Sequence, residues 1–389
     1  MKRILLFDSN IEGHHADYLA HLINYWTENK LQGELLIATN KLFAEKYAQI
    51  EPQSWATNVK LISIDAAELA KLEKLAPMQR SFTEWNLVKK YIAEFNPTHL
   101  VLMYFDIFQL AIGLESKVGC EVSGIYFRPN FHYEISGFKH RLNQLLKKGM
   151  IQNALQKHFV KHLFSLDSSA VKYANSFKHG AKLLPISDPV KVYHISEDEL
   201  AAARKFYKIP ANKQVFLLFG FLDGRKGIAQ LLDALKLMSA HELDKMVVLL
   251  VGPTPTGFKE EVQNYIASLN NSVEIITHFE EVRGRNIQTL FEISDYILAL
   301  YQQHIGMSSV IVRAAVSQKP LLSSDYGFMG KMVKDNHLGA VVDSSSPEAI
   351  AQLLQKALLN QVSFSKENLR KVAFENSDIH FAETIFGIH

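Results

Sequence analysis

The sequence predicts a two-domain α/β protein in which helices cover parallel β-sheets. Short apolar runs alternate with amphipathic stretches along almost the whole chain of 389 residues, and this alternation is typical of strands joined by helical crossovers. The chain is long enough for two domains with separate cores, and its 48% hydrophobic and 21% charged residues are ordinary for a globular protein. We therefore expect two Rossmann-like, doubly wound domains that face each other across a cleft, where open α/β folds bind their ligands.

The apolar runs give the expected strands of both domains. In the first half they cover residues 4–7, 34–38, 59–62, 99–104, 122–127 and 162–166. In the second half they cover residues 215–219, 246–251, 273–276, 296–300, 320–322 and 340–342. The clearest helical patterns fill the gaps at residues 16–25, 82–94, 228–237 and 347–358.

A proline-containing segment marks the expected domain boundary. Pro185 and Pro189 lie close together, and proline is unfavourable in helices and in central strands. Ser196 and Glu199 then have the spacing of a capping box, which begins a new helix. We expect one domain at residues 1–185, a second at 186–370, and a C-terminal helix at 371–389 that packs back on the first domain.

The composition argues against several classes of protein. The 42 Lys and Arg residues nearly balance the 40 Asp and Glu residues, so a nucleic-acid partner, which needs a basic excess, is not expected. The single cysteine, Cys120, excludes an internal disulfide and a thiolate zinc site, and the 16 histidines lack metal-ligand spacing. The apolar run near Met1 is too short for a secretion signal, and no run approaches the ~18 residues of a membrane span. We therefore expect a cytoplasmic protein.

One glycine-containing loop of the second half is a candidate phosphate-binding site. It joins the expected strand at 215–219 to the expected helix at 228–237 and contains Gly220, Arg225 and Lys226. Glycine lets the backbone approach a ligand, the N-terminus of a helix attracts an anion, and the two basic side chains add positive charge. The alternative is a tight turn with two solvated basic residues.

A second loop of the same half has a similar character. It follows the expected strand at 296–300, and its small residues precede an apolar helix. Unpaired N–H groups at such a helix start, supplemented by two hydroxyl groups, can bind a phosphate. A serine there can equally cap the helix, and the two roles are compatible. The candidate residues are Gly306, Met307, Ser308 and Ser309.

The two loops and the segments after them resemble the donor-binding region of the glycosyl transferases group 1, the retaining, glycogen-synthase-like enzymes of the GT-B fold. The first donor stretch of the family, which binds the diphosphate, is matched by Gly220, Lys226, Gly227, Leu231, Leu232 and Ala234. The second donor signature is matched in order and spacing by Gly306 to Ser309, Arg313 to Ala315, Lys319 to Leu322 and Asp325 to Gly327, preceded by Leu290, Phe291, Ser294 and Asp295. The resemblance covers most of residues 214–345.

The resemblance implies an enzyme and gives each domain a role. It implies a hexosyltransferase-type glycosyltransferase that moves a sugar from a nucleoside-diphosphate sugar, carried by UDP or GDP, to an acceptor hydroxyl in polysaccharide, glycolipid or glycoconjugate synthesis. The N-terminal domain would bind the acceptor, and the C-terminal domain would bind the donor. No cofactor beyond the donor substrate and no metal is expected, because cations and a helix terminus can neutralise the diphosphate and the sequence has no Asp-x-Asp cluster.

Three positions depart from the family pattern. The two glutamates of the second donor signature correspond to Ile305 and Arg313, and the family's arginine before the lysine corresponds to Phe221, where Arg225 can substitute. Lys226 alone is retained. Arg313 cannot accept hydrogen bonds from ribose hydroxyl groups as a carboxylate does, although it can pair with a phosphate or a buried carboxylate. The donor sugar, the nucleobase and the choice between retention and inversion therefore stay open.

The first loop of the N-terminal domain carries candidate acid–base residues. Glu12, Gly13, His14 and His15 follow the first expected strand, and histidine titrates near neutral pH. Asp106 follows the expected strand at 99–104. A histidine of the first loop oriented by Asp106 resembles the base pair of inverting GT-B enzymes. The alternative is that these histidines are only hydrogen-bonded polar residues at a helix start.

Arg128 and His132 follow another expected strand of the N-terminal domain, at residues 122–127. A cation at the carboxyl edge of this strand can meet a donor phosphate or an anionic acceptor, and the neighbouring aromatic residues with Pro129 can form an apolar wall for a sugar. The alternative is that the aromatic residues belong to the core and that Arg128 forms a salt bridge.

A basic segment at residues 138–163 predicts peripheral contact with a membrane. It has an apolar stripe at helical spacing and no acidic residue, and such a helix can lie on an anionic membrane. The contact would place the protein at the inner face of the membrane and suit a lipid-linked acceptor, whereas the alternative is a solvated helix face. The basic residues are Lys139, Arg141, Lys147, Lys148, Lys157 and Lys161.

Two other functions stay open. The missing glutamates at Ile305 and Arg313 are consistent with a nucleotide-sugar-binding protein that has lost turnover. The third function is that of a GT-B-fold sugar-nucleotide epimerase, which would need acid–base carboxylates that the sequence does not identify. The oligomeric state is not predicted.

Overall fold

The chain divides into two compact units. The structure is a computed structural model and describes residues 2–12, 14–50, 55–129, 131–132, 138–269, 273–304 and 306–387. The N-terminal unit consists of Met1–Pro189 together with Asp378–His389, and the C-terminal unit is Val190–Ser377. The first unit thus ends at Pro189, and the tail rejoins it at Asp378 rather than at residue 371.

The N-terminal unit contains a parallel sheet of seven strands among its described residues, in the order β3-β2-β1-β4-β5-β6-β7. The strands are β1 (Arg3–Asp8), β2 (Glu34–Asn40), β3 (Val59–Ile64), β4 (His99–Leu102), β5 (Glu121–Ile125), β6 (Val160–Ser165) and β7 (Leu183–Pro185). The helices are α1 (His14–Glu28), α2 (Phe43–Ile50), α3 (Ala66–Glu73), α4 (Pro77–Phe95), α5 (Gln109–Leu114), α6 (Phe138–Leu155) and α7 (Ser168–Ala174).

The C-terminal unit contains a parallel sheet of six described strands in the order β10-β9-β8-β11-β12-β13. The strands are β8 (Gln214–Phe219), β9 (Met246–Val251), β10 (Glu274–His278), β11 (Tyr296–Ala299), β12 (Leu321–Ser324) and β13 (Gly339–Val342). The helices are α8 (Glu197–Phe206), α9 (Ile228–Lys236), α10 (Ala240–Leu243), α11 (Phe258–Ala267), α12 (Arg285–Glu292), α13 (Ser309–Val316), α14 (Gly327–Asp335), α15 (Pro347–Leu358) and α16 (Lys366–Glu375). The predicted α/β architecture of two doubly wound sheets is confirmed.

Both faces of each sheet are buried, which explains why the strands are continuous apolar runs. In β1, Leu5 and Phe7 pack in one core, and Ile4 and Leu6 pack in the core on the opposite face. Successive side chains of a strand point to opposite faces, so a strand between two helix layers needs an apolar residue at every position. The capping box predicted at the start of α8 is also confirmed, because Ser196 and Glu199 bond reciprocally.

Each sheet has a point at which its strand order reverses. β1 lies between β2 and β4, and β8 lies between β9 and β11. Since the chain leaves the central strand to one side and later returns on the other, the loops after the two central strands diverge and leave a crevice at their carboxyl ends. This topology places the loop after β1 beside the loop after β4, and the loop after β8 beside the loop after β11.

The C-terminal helix α17 (Asp378–Gly387) completes the core of the N-terminal unit. Phe381 is fully buried, and its ring centroid lies 5.0 Å from that of Tyr18 on α1. Phe386 packs edge-to-face on Trp26, which is also on α1, with 5.3 Å between ring centroids. The tail therefore contributes aromatic side chains that the first 189 residues do not supply.

Two local expectations differ from the structure. The segment expected to mark the domain boundary contains the edge strand β7, which ends at Pro185. Proline is tolerated at an edge, where its missing N–H removes no ladder bond. The basic segment at residues 138–163 is not one helix, because α6 ends at Leu155 and β6 begins at Val160. Lys157 and Lys161 therefore lie outside the helix.

Replacing Phe381 with alanine tests the role of α17. We expect Phe381→Ala to lower the free energy of unfolding of the N-terminal unit by about 3–5 kcal/mol, because it empties a fully buried aromatic site. Tryptophan fluorescence during urea unfolding reports on this unit selectively, since Trp26, Trp55 and Trp85 are the three tryptophans of the chain. Ile379→Ala is the control, because Ile379 is exposed on the same helix. Equal effects of the two substitutions would contradict the packing described.

Candidate functional site

Two glycines allow the loop after β8 to close around a lysine. Gly220 has φ +109°, and a Cβ atom there would lie 2.9 Å from Lys226 Nζ. Gly227 has φ +73°, and a Cβ atom there would lie 2.2 Å from the carbonyl oxygen of Leu300. Both backbone conformations are unfavourable for residues with a side chain. Glycine is therefore required for the lysine to reach its position at the carboxyl end of the sheet.

Lys226 is a buried cation, with 6% of its surface exposed. Its Nζ donates a hydrogen bond to the carbonyl oxygen of Phe219 at 2.7 Å and another to the hydroxyl group of Tyr301. Nζ also lies 4.2 Å from the centroid of the Tyr301 ring. Among the described residues, no carboxylate lies within the 4.0 Å of an ion pair with Nζ. Burying an ammonium group without a counter-charge is costly, so the site is suited to an anion.

Tyr301 connects this lysine to the start of α13. Its hydroxyl oxygen lies 2.8 Å from Oγ of Ser308, and Ser308 caps α13 by accepting a hydrogen bond from the N–H of Val310. The N-terminus of a helix carries a partial positive charge and unpaired N–H groups. The lysine and the helix terminus therefore bring positive charge to the same end of the sheet.

The loops around this cluster are held together by hydrogen bonds to main-chain carbonyl oxygens. The N–H of Gln302 donates to the carbonyl oxygen of Arg225 at 2.7 Å, and Nε2 of Gln302 donates to that of Ser344 at 2.7 Å. Oγ of Ser344 donates to the carbonyl oxygen of Tyr301 at 3.0 Å. The segments after β8, β11 and β13 thus form one connected site.

The other predicted donor residues differ in how far they are exposed to solvent. Arg225 is exposed and forms an ion pair with Asp223 at 2.8 Å. Gly306 is exposed, whereas Met307 and Ser309 are half-buried at the start of α13. Arg313 is half-buried in the last turn of α13. Ile305 lies outside the described residues.

His304 is a neighbour of the cluster that the sequence did not identify. Its ring centroid lies 5.1 Å from that of Tyr301, and its Nε2 lies 3.3 Å from the carbonyl oxygen of Met307. Burial lowers the pKa of His304 more strongly than the hydrogen bond to Met307 raises it, and the charges of Arg225 and Lys226 lower it further. Tyr301 was not identified from the sequence either, because an aromatic residue after a strand is usually part of the core.

The N-terminal unit has a pocket of about 170 Å³ at the carboxyl ends of β1 and β4, where its strand order reverses. Phe7, Ile107 and Phe108 supply the apolar part of its lining. The polar part consists of Asp8, Ser9, Asn10, His15, Arg80, Glu84, Tyr104 and Arg128. The pocket therefore contains two of the predicted site residues, His15 and Arg128.

His15 is oriented by Asp8 rather than by Asp106. Its Nδ1 lies 2.7 Å from Oδ2 of Asp8, and both residues are buried. Burial raises the pKa of the Asp8 carboxyl group, and the hydrogen bond and charge of His15 oppose this rise. Asp8 was not selected from the sequence, because the carboxylate that orients the histidine was expected at Asp106.

Asp106 forms hydrogen bonds to the backbone after β5 rather than to His15. Its two carboxylate oxygens accept hydrogen bonds from the N–H groups of Phe127 and Arg128, at 2.8 and 2.9 Å. Burial raises the pKa of Asp106 to about 6, although both hydrogen bonds act in the opposite direction. Asp106 therefore fixes the backbone that carries Arg128.

Arg80 and Glu84 were not identified from the sequence. Nε of Arg80 lies 2.9 Å from Oε2 of Glu84, and Glu84 is 1% exposed. Oγ of Ser9 donates to Oε1 of the same carboxylate at 2.6 Å. An arginine and a glutamate four residues apart are common on exposed helices, so nothing in the sequence marks this pair as buried.

Glu12 and His132 are not part of the described lining of this pocket. Glu12 is exposed and forms an ion pair with Lys46 at 3.2 Å. His132 is buried with its Nε2 3.1 Å from Oδ2 of Asp167, a residue that caps α7. Gly13 and the side chain of His14 lie outside the described part of the chain. These residues stay predictions.

Two kinds of feature are absent from the described residues. No group of three or more His, Cys, Asp or Glu side chains is arranged to hold a metal ion. No helix in the described ranges has the length and apolar character needed to cross a membrane.

A family model matches most of the C-terminal unit in sequence, and solved structures match nearly the whole chain in fold. Residues 201–376 match the family model of the glycosyl transferases group 1. "Putative glycosyltransferase YtcC" of Bacillus subtilis (strain 168) is 24% identical over 176 residues, which are 43% of this chain and 42% of that relative. The match thus spans less than half the length of this curated relative.

Two solved structures cover nearly the full length of the chain. HepE of Anabaena, solved in complex with UDP, has a TM-score of 0.69 at 15% identity and covers 99% of this chain and 98% of its own. The sucrose-phosphate synthase of Thermosynechococcus elongatus has a TM-score of 0.71 at 14% identity and covers 100% of this chain and 98% of its own. At such low identity these likenesses show the fold. Residues 201–376 are therefore similar to the glycosyl transferases group 1 in sequence, and the chain has the GT-B fold.

Proposed function

We propose that this protein is a glycosyltransferase that moves a sugar from a nucleoside-diphosphate sugar to an acceptor hydroxyl group. The observation that carries the proposal is the ammonium group of Lys226, which is buried at the carboxyl end of the sheet beside the start of α13. A diphosphate would supply the counter-charge that the described residues do not. The family match of residues 201–376 supports this function, and HepE, which shares the fold, binds UDP.

The proposed donor site would act on the leaving group. When the bond between the sugar and the diphosphate breaks, negative charge accumulates on the diphosphate oxygens. Lys226 and the N–H groups at the start of α13 would stabilise this charge, and the hydrogen bonds of Lys226 to Phe219 and Tyr301 hold its ammonium group in place beforehand. We expect a hexosyl donor on UDP or GDP and no requirement for a metal.

The pocket of the N-terminal unit is the proposed acceptor site. His15 would take the proton of the acceptor hydroxyl group as the sugar is transferred, and Asp8 would orient the ring and stabilise the imidazolium form. This role applies if the reaction inverts the configuration of the sugar. If the configuration is retained, the same pair would position the hydroxyl group.

The main alternative is a nucleotide-sugar-binding protein without turnover. Arg313, which stands where the family has a glutamate, is the observation that favours it. This alternative predicts nucleotide binding with neither transfer nor donor hydrolysis. Detecting either reaction with the purified protein would exclude it, and interconversion of free nucleotide sugars would indicate the epimerase function instead.

We also propose that α6 contacts an anionic membrane. Leu142, Leu145 and Leu146 are 48%, 65% and 53% exposed, and their spacing places them on one face of the helix. Lys147 and Lys148 are half-buried beside them. An exposed apolar face next to basic residues is suited to the interface of an anionic bilayer.

Substitution of Lys226 tests the donor site. We expect Lys226→Met to lower kcat/KM for the donor about 100-fold or more, because the change removes the cation proposed to face the diphosphate. The unfolding temperature without nucleotide should be unchanged or higher, since the variant no longer buries a charge without a counter-ion. Lys236→Met is the control, because Lys236 is exposed on the adjacent helix α9. An unchanged kcat/KM in Lys226→Met would exclude the proposed role.

Substitution of Asp8 tests the acid–base pair. We expect Asp8→Asn to lower the rate of transfer or donor hydrolysis on the order of 100-fold, because His15 loses the carboxylate that orients it and stabilises its charged form. Nucleotide binding, measured by calorimetry, should stay the same. Glu94→Gln is the control, since Glu94 is exposed near the C-terminus of α4. Equal rates in the two variants would contradict the assignment.

Vesicle binding tests the membrane contact. We expect the wild-type protein to sediment with anionic phosphatidylglycerol vesicles but not with zwitterionic ones. The double variant Leu145→Asp, Leu146→Asp should bind at least about tenfold more weakly. Full burial of one leucine side chain in the bilayer contributes roughly 1.5–3 kcal/mol to the free energy of binding. Leu114→Asp, at an exposed leucine of α5, is the control. Equal sedimentation of the double variant and the control would rule out the contact.

A further inference from the structure

The charged groups that line the N-terminal pocket are not all paired with one another. Asp8 is paired with His15 at 2.7 Å, and Glu84 is paired with Arg80 at 2.9 Å. Arg128 is the remaining cation of the lining, and no carboxylate of the described residues lies within ion-pair distance of its guanidinium group. The guanidinium group of Arg128 is therefore available for an ion pair with a ligand.

The backbone of Arg128 is fixed, although its side chain is exposed. Asp106 accepts hydrogen bonds from the N–H groups of Phe127 and Arg128 through its two oxygens. The next residue, Pro129, is buried and has a restricted φ angle. The guanidinium group is thus attached to a rigid segment just after β5. This arrangement lowers the conformational cost of binding a ligand.

Arg80 is less suited to attract an added anion. Its charge is matched by the buried carboxylate of Glu84, which also accepts a hydrogen bond from Ser9. An additional anion near Arg80 would therefore be repelled by Glu84. Arg128 has no such neighbour in direct contact, and its planar group can bind both oxygens of a carboxylate or phosphate at once.

We propose that the acceptor carries an anionic group, a phosphate or a carboxylate, and that Arg128 binds this group in the pocket that contains His15. The inference rests on the proposed function, because it takes the pocket to be the acceptor site. Binding of the anionic group to Arg128 would place a neighbouring hydroxyl group of the acceptor near His15. Acceptors without the anionic group would bind to the pocket more weakly.

Binding of matched small molecules to the full chain tests this inference. The probes are glucose 6-phosphate, galactose 6-phosphate, glucuronate and galacturonate, each compared with its neutral parent sugar by calorimetry in the presence of saturating UDP. We expect at least one anionic probe to bind about tenfold or more tightly than its parent, because a charge-assisted pair is stronger than neutral hydrogen bonds. In Arg128→Gln this preference should disappear, and in Arg128→Lys it should be partly restored.

The controls separate this inference from the proposed function. Lys90→Gln, at an exposed lysine of α4, should keep both the anion preference and the affinity for UDP. If UDP binds but the anionic probes have no advantage over their parents, the inference is wrong and the proposed function stands. If Arg128→Gln weakens UDP binding instead of probe binding, Arg128 contacts the donor and the inference is again wrong. If no nucleotide or nucleotide sugar binds to the wild-type protein, the proposed function itself fails.

Discussion

A buried ammonium group organises the C-terminal unit. Lys226 lies where the strand order of the sheet reverses. Its Nζ donates hydrogen bonds to the carbonyl oxygen of Phe219 and to the hydroxyl group of Tyr301. The glycines at 220 and 227 are required for this placement, because a side chain at either position would collide with Lys226 or with Leu300. The hydrogen bonds among the three surrounding loops keep the cation next to the start of α13. The donor-site proposal depends on this one arrangement.

The N-terminal unit uses the same topology with different chemistry. Its pocket also lies where the strand order reverses, but its polar lining consists of paired acids and bases together with Arg128. Buried carboxylates are tolerated there because each has a specific partner: Asp8 has His15, Glu84 has Arg80 and Ser9, and Asp106 has two N–H groups. The two units thus share a fold and differ in what their loops present to a ligand.

Much of the fold was predictable from the sequence, because both sheets are buried on both faces and their strands are continuous apolar runs. Strand β7 was missed because Pro185 indicated a break, whereas the strand lies at an edge. The end of α6 was missed because basic and apolar residues continue at similar spacing into β6.

The candidate donor loop was found because glycines next to Lys226 indicate a close backbone approach. The pairing of polar groups was not predictable, since the sequence shows which residues follow a strand but not which atoms they meet. Asp106 and Asp8 illustrate this, as both end or follow central strands and only Asp8 reaches His15.

The central claim is that the buried cation at the start of α13 binds a diphosphate. Calorimetry on the wild-type protein, comparing uridine with UDP and guanosine with GDP, measures what the phosphates contribute. The account predicts that one nucleoside diphosphate binds about 100-fold or more tightly than its nucleoside, since hydrogen bonds to charged groups contribute about 1.5–3 kcal/mol each. Equal affinities for the nucleoside and its diphosphate in both pairs would contradict it.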